Sequence, residues 1–238
     1  MRAATAAADT GFAIGQAARQ ARLEASVDPN AIISDRAYNA VMLGVVVWGL
    51  LVNLVLCACV GDVYRYISPG VFLIIYLVCV FGGIMLAGRS SNPAVSFLGY
   101  NLVVVPLGLV ISTLVWEYGG LDSQVVRDAF MYTLISTLGM LGIEMMFPSF
   151  FDRLGGALLG CLIALVVCEL VLLLLRIPQN VTDWIASAMF SLYVAYDVHR
   201  SQQFPKTLDN AVDCALDIYL DIANLFIRLL RIMSRKKD

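Results

Sequence analysis

The sequence predicts an all-α membrane protein: a bundle of seven transmembrane helices with the C-terminal helix at its centre. Three observations lead there. Hydrophobic residues make up 60% and charged residues 14% of the 238, with a mean hydropathy of +0.82, whereas an ordinary soluble domain is about half apolar and a quarter charged. The apolar residues gather into segments of the length, about 20 residues, that crosses a hydrocarbon core of about 30 Å. The last segment carries a polar stripe, which in lipid must face protein or a water-filled cavity. A formal net charge of −2 excludes a nucleic-acid partner, which needs a basic footprint.

Taken in chain order, residues 1–36 form a polar, Ala-rich tail in which four basic residues balance four acidic ones. No short apolar core precedes a small-residue cleavage site, so the tail does not read as a signal peptide. The stretch VMLGVVVWGLLVNLVLCACV, 41–60, is the clearest span, and 71–87 makes a second, ending near Arg89. The third, about 94–115, contains Asn101 and Pro106; the fourth, about 126–147, contains Glu144; the fifth, about 155–175, contains Glu169. The sixth, about 182–198, closes on SLYVAYDVHR, and the seventh covers about 209–232. Short connections make residues 37–238 one bundle rather than two domains. An N-terminus inside puts Arg89, Arg153, Arg200 and Lys206 in cytoplasmic connections, as the positive-inside rule prefers. Seven crossings then place Arg235, Lys236 and Lys237 outside, against that rule. The side of the C-terminus therefore stays open. None of the six cysteines shows metal-ligand spacing, and they read as small fillers of helix interfaces.

Charges within spans point to function, because burying them is costly unless they are paired or solvated. Asp209, Asp213, Asp217 and Asp221 recur every four residues. At about 100° per residue they step round the last helix by about 40° each, within an arc of about 120° that Asn224, Arg228 and Arg231 share. Asp209 and Asp213 start the helix, where the dipole favours a negative charge and water is near. Asp221 lies too deep for that explanation, and Asp217 is intermediate. Asp197 ends the uncharged run 184–196, and a helical hairpin turning at 200–208 brings its carboxylate toward the seventh helix. Two carboxylates a few ångströms apart do not both ionise easily and titrate as a coupled pair. Glu144 reads as a carboxylate at the membrane edge, Glu169 has no evident partner, and His199 reads as an interfacial residue.

The stretch FSLYVAYDVHR (190–200), followed 24 residues after Asp197 by Asp221 in LDIYLDIANLFIRLLRIM, resembles the Bax inhibitor-1 family. Members of that family carry a YD on the sixth helix and an LYLD or LFLD with a following NLF or TLF on the seventh. The resemblance implies a last helix wrapped by the other six and a pH-sensitive calcium leak, with Ca²⁺ as the transported ion and no other cofactor. It places the pH-sensing, gating pair on Asp197 and Asp221, with at most a transient Ca²⁺ contact there and no resident metal. It matches Arg89 to an arginine that engages the pair in the closed form. Asp217 and Arg228 resemble residues of animal members. Where many bacterial members have YDTQ, this chain has Tyr196-Asp197-Val198-His199.

The first functional expectation is therefore not an enzyme but a calcium-leak channel, with Asp197 and Asp221 sensing pH and Arg89, Asp217 and Glu144 as gate or pathway residues. Carboxylate oxygens suit a hard cation. The expected setting is a bacterial plasma membrane, with a monomer in the bilayer. A second expectation is a regulator that binds a membrane protease through the tail, as some bacterial family members do. A third is an intramembrane aspartyl protease. Against it, Asp221 follows Ile218-Tyr219-Leu220 instead of the GxGD of presenilin-type enzymes, and no PAL motif comes after it.

Overall fold

Each of the seven expected segments is one long helix in the computed structural model, which describes residues 29–177 and 180–235. The helices are α1 Asp35–Cys59, α2 Pro69–Arg89, α3 Pro93–Glu117, α4 Gln124–Met146, α5 Gly155–Leu174, α6 Asn180–Ser201 and α7 Leu208–Arg235. A single helical turn, Pro148–Phe151, joins α4 to α5. Most of the tail expected over 1–36 and the final three residues lie outside the described residues. Helix α1 starts inside the expected tail because Ser34 caps it, its Oγ accepting from the Ala37 N–H at 3.3 Å. Helices α2 and α3 open with Pro69 and Pro93, in the first turn where a missing N–H costs nothing. Asn92 caps α3 by accepting from the Ala94 N–H at 3.0 Å.

Helices α1 to α5 are long and apolar enough to cross a membrane. By the same measure α6 and α7 are not, since α7 alone carries four aspartates and three arginines. The outer helices bury little: Phe72, Gly83 and Ala87 on α2, and Leu158 and Leu165 on α5. Their remaining faces expose leucine, isoleucine, valine and phenylalanine, a surface suited to lipid and hostile to water. Helix α7 is the opposite. Residues Asp209 to Leu216 are buried without a break, and eight successive residues pass twice round a helix, so this part is covered on every side. It packs against α1, α3, α4 and α6, while α2 packs on α3 and α5 on α6.

The core between these helices is aromatic and branched, with Tyr100, Val103, Val104, Tyr219, Leu225 and Leu230 fully enclosed. Its polar atoms are paired: Tyr219 donates to Asn53 Oδ1 at 3.1 Å, Tyr100 to the Val45 carbonyl at 2.8 Å, and Ser112 to the Gly61 carbonyl at 2.6 Å. A second cluster under the start of α1 joins Tyr38 to Phe204, Cys214 and Ile218. Cys214 is the buried cysteine, whereas Cys59, Cys161 and Cys168 are exposed. The interface-filler reading therefore fails for those three, which lie on exposed parts of their helices.

Glycine sets the approach of α2 to α3. A Cβ on Gly99 would lie 2.7 Å from the Gly83 carbonyl oxygen, and one on Gly83 would lie 2.6 Å from that of Gly99. Because the obstacle is backbone, Gly99→Ala must push the two helices apart, at about 1–3 kcal/mol. Gly82 faces open space, so Gly82→Ala is expected to hold or slightly raise stability. Thermal midpoints of the two variants in one detergent check this; equal midpoints would show that the glycine contact does not set the helix spacing.

Candidate functional site

Helices α6 and α7 form an antiparallel hairpin whose turn is stiffened locally. Asn210 donates its backbone N–H to Thr207 Oγ1 at 3.1 Å and its side-chain amide to the Pro205 carbonyl at 2.9 Å. The hairpin brings Asp197, half-buried near the end of α6, against Asp221 on α7, which is 7% exposed. The two carboxyls face each other at hydrogen-bonding range. The buried Oδ2 of Asp221 takes no hydrogen bond from an N–H or O–H among the described residues. Asp217, one turn earlier on α7, is half-buried and acts on Asp221 through its charge. Tyr193 on α6 lies in the field of both members of the pair. If both carboxyls ionise they repel; one proton between them makes them a bonded pair.

The other expected gate residues lie elsewhere. Arg89 is exposed at the end of α2 and has no hydrogen bond or ion pair among the described residues. Its helix packs on α3, so Arg89 is not brought to the pair. Glu144 instead meets His199, whose Nδ1 lies 2.9 Å from Glu144 Oε1 and whose Nε2 lies 2.9 Å from Asp152 Oδ1. His199 is thus a bridge between α4, the turn after it and α6, rather than a simple interfacial side chain. The hydrogen bond from His199 holds the exposed Asp152 carboxyl below its usual range. Asp209 and Asp213 are also not the hydrated residues expected: they are 6% and 1% exposed. Asp209 accepts from Ser96 Oγ at 2.6 Å, so α3, not water, covers the start of α7.

Toward the far end of α7 the charges form an ion-pair cluster. Arg228 grips Glu169 with two hydrogen bonds, Nη1 to Oε1 at 2.5 Å and Nη2 to Oε2 at 2.8 Å, and reaches Asp183 Oδ1 at 3.0 Å. Arg235 binds Asp183 Oδ2 and, at 2.7 Å, Asn180 Oδ1. Arg231 stands 3.8 Å from Asp183 Oδ1. Asp183 is fully buried, and its charge is tolerable only because guanidinium groups enclose it. Sequence reasoning missed Asp183, which merely bordered the uncharged run 184–196. The available signal was the spacing of Arg228, Arg231 and Arg235, which puts three cations on one helix face in need of a buried anion.

Removing the shared cation should cost more than removing one anion. Arg228→Leu leaves Glu169 and Asp183 without their common partner, and breaking a buried pair in this way costs about 3–5 kcal/mol. Glu169→Gln keeps the Arg228–Asp183 bond and is expected to lose less than half as much. Unfolding midpoints in detergent check the order, and equal losses would mean that Arg228 does not hold Asp183.

Comparison with known proteins identifies the family. Residues 31–238 match the family described as "Inhibitor of apoptosis-promoting Bax1". An uncharacterized protein of Helicobacter pylori strain J99 is 31% identical over 184 residues, covering 71% of this chain and 72% of the relative. A second uncharacterized protein, from Helicobacter pylori strain 26695, is 40% identical over 89 residues, covering 36% of this chain and 37% of the relative. An uncharacterized protein of Campylobacter jejuni is 29% identical over 159 residues, covering 66% of this chain and 60% of the relative. The chain belongs to the Bax inhibitor-1 family.

Proposed function

We propose that this protein is a pH-sensitive calcium leak in which the Asp197–Asp221 pair is the gate. The observation that carries the reading is the placement of two carboxyls face to face, one of them with a buried oxygen that no N–H or O–H donor among the described residues satisfies. A proton held between the two closes α6 onto α7. Its loss leaves two like charges at close range, and their repulsion drives the hairpin apart. Separated carboxylates, with Asp217 one turn away, present oxygens to a passing Ca²⁺. In this reading all seven helices cross a bacterial plasma membrane, α7 stands in the middle, the N-terminus is cytoplasmic and the monomer is the working unit. The burial of residues 209–216 of α7 on every side and the lipid-like faces of α2 and α5 support that arrangement.

Calcium influx into liposomes across a pH series is the direct test. Wild-type flux is expected to change by up to about tenfold per pH unit around the titration of the pair, and Asp221→Asn to make it insensitive to pH. Flux and pH dependence both unchanged in Asp221→Asn would end the gating proposal. Asp197→Asn is expected to act like Asp221→Asn, with the double variant no worse than either single one, because the two groups act as one unit. Additive losses would show two independent sites. Facing aspartates are also what an intramembrane protease needs, so cleavage of a model transmembrane substrate, abolished by Asp197→Ala, would replace the leak by that chemistry.

A further inference from the structure

A cavity of about 530 Å³ opens where α5 ends and α6 begins, beside the last turn of α7. It lies 14 residues along α6 from Asp197, about 21 Å, and no step of the proposed leak uses it. Arg176, Arg231, Arg235, Asn180, Ser234 and Asp183 contribute to its wall. Together with the adjoining Arg228–Glu169 pair, the wall holds four guanidinium groups and two carboxylates. The two carboxylates are already engaged by Arg228 and Arg235, so the surplus charge is positive.

The surplus sits on two particular side chains. The Arg231 guanidinium lies 3.8 Å from its nearest carboxylate, beyond hydrogen-bonding range. Arg176 makes no hydrogen bond or ion pair through its side chain among the described residues. One further donor lines the same space: Asn180 accepts from Arg235 through its oxygen, which leaves its amide N–H groups available, whereas the Ser234 hydroxyl donates to the Arg231 carbonyl at 2.8 Å.

Arg176 also occupies an uncommon backbone conformation. Helix α5 ends with the Ile177 N–H bonded to the Leu172 carbonyl at 2.9 Å and the Arg176 N–H to that of Leu173 at 3.2 Å, the closure that normally takes glycine. Here the left-handed position, φ 57°, is filled by arginine, at a steric cost glycine would avoid. The turn places the Arg176 side chain at the cavity wall, and a non-glycine residue kept in this conformation is the kind of outlier from which a functional hypothesis starts. Leu173 and Ile177 form an exposed apolar rim beside it.

We infer that this cavity binds a phosphate-bearing anion, clamped by Arg176 and Arg231. Guanidinium forks match phosphate oxygens in geometry as well as in charge. The position at the helix ends and the apolar rim suit the phosphate of a lipid headgroup, and the same donors suit free phosphate.

The test uses the full chain purified in detergent and titrated separately with inorganic phosphate and with short-chain phosphatidylglycerol, with phosphatidylcholine as the zwitterionic control. Saturable binding of phosphate assigns the site to the free anion, and binding of phosphatidylglycerol alone assigns it to a headgroup. Arg176→Gly relieves the backbone, so its thermal midpoint is expected to equal or exceed that of wild type while its affinity falls about tenfold or more. Arg231→Gln is expected to lose as much, and Arg127→Gln, whose side chain caps α4 at the same end of the bundle, to lose nothing. On the wild-type chain, bound ligand should protect Arg176 and Arg231 from phenylglyoxal, read by mass spectrometry. No saturable binding of either anion, unchanged affinity in Arg176→Gly, or the absence of protection would each overturn the site.

Discussion

Hydrocarbon offers no partner to a charge, and that constraint organises this molecule around α7. A helix with four aspartates and three arginines can lie among apolar neighbours only if each charged group meets protein. The neighbours oblige in different ways. Ser96 of α3 donates to Asp209, Glu169 of α5 and Asp183 of α6 receive Arg228, and Asp197 of α6 stands before Asp221. The apolar helix α2 has no such demand and buries three residues; α5 meets it through Glu169 and otherwise buries only two.

The two halves of α7 use their charges for different ends. Toward the end of α7, the Arg228 cluster is an opposite-charge assembly whose members satisfy one another. It holds three helices in one register and has no reason to move. The Asp197–Asp221 contact is a like-charge assembly, stable in one protonation state and repulsive in another. A rigid anchor beside a bistable contact is the arrangement a small stimulus needs, because displacement is then directed to one end of the hairpin.

Most of the helices were legible in the sequence, since long apolar segments and the caps at Ser34, Asn92, Pro69 and Pro93 mark their extent. The aspartates of the pair were legible too: Asp197 closes the uncharged run 184–196, and Asp221 lies too deep in the last helix to be excused by its start. What spacing along the chain does not encode is which face of one helix meets which face of another. Arg89 stands at the expected end of α2, yet α2 packs on α3 and carries it away from the pair. Glu144 and His199 were both visible but looked unrelated, because their 2.9 Å contact joins positions 55 residues apart. Asp183 looked like the edge of a span, and only the packed hairpin shows that three arginines converge on it.

The charge on α7 also bears on how the protein is made. Helix α7 follows its partners in chain order and so leaves the ribosome after them, and its seven charged side chains forbid it from partitioning into lipid by itself. Its docking surfaces on α1, α3 and α4 are separated from it by more than 60 residues of chain. On the proposed seven-span reading, α7 enters the membrane as a hairpin with α6, into a groove that the earlier helices have already assembled. A chain truncated before α7 would leave that groove lined with buried polar groups, such as Ser96 and Asn53, and would be a natural target for membrane quality control.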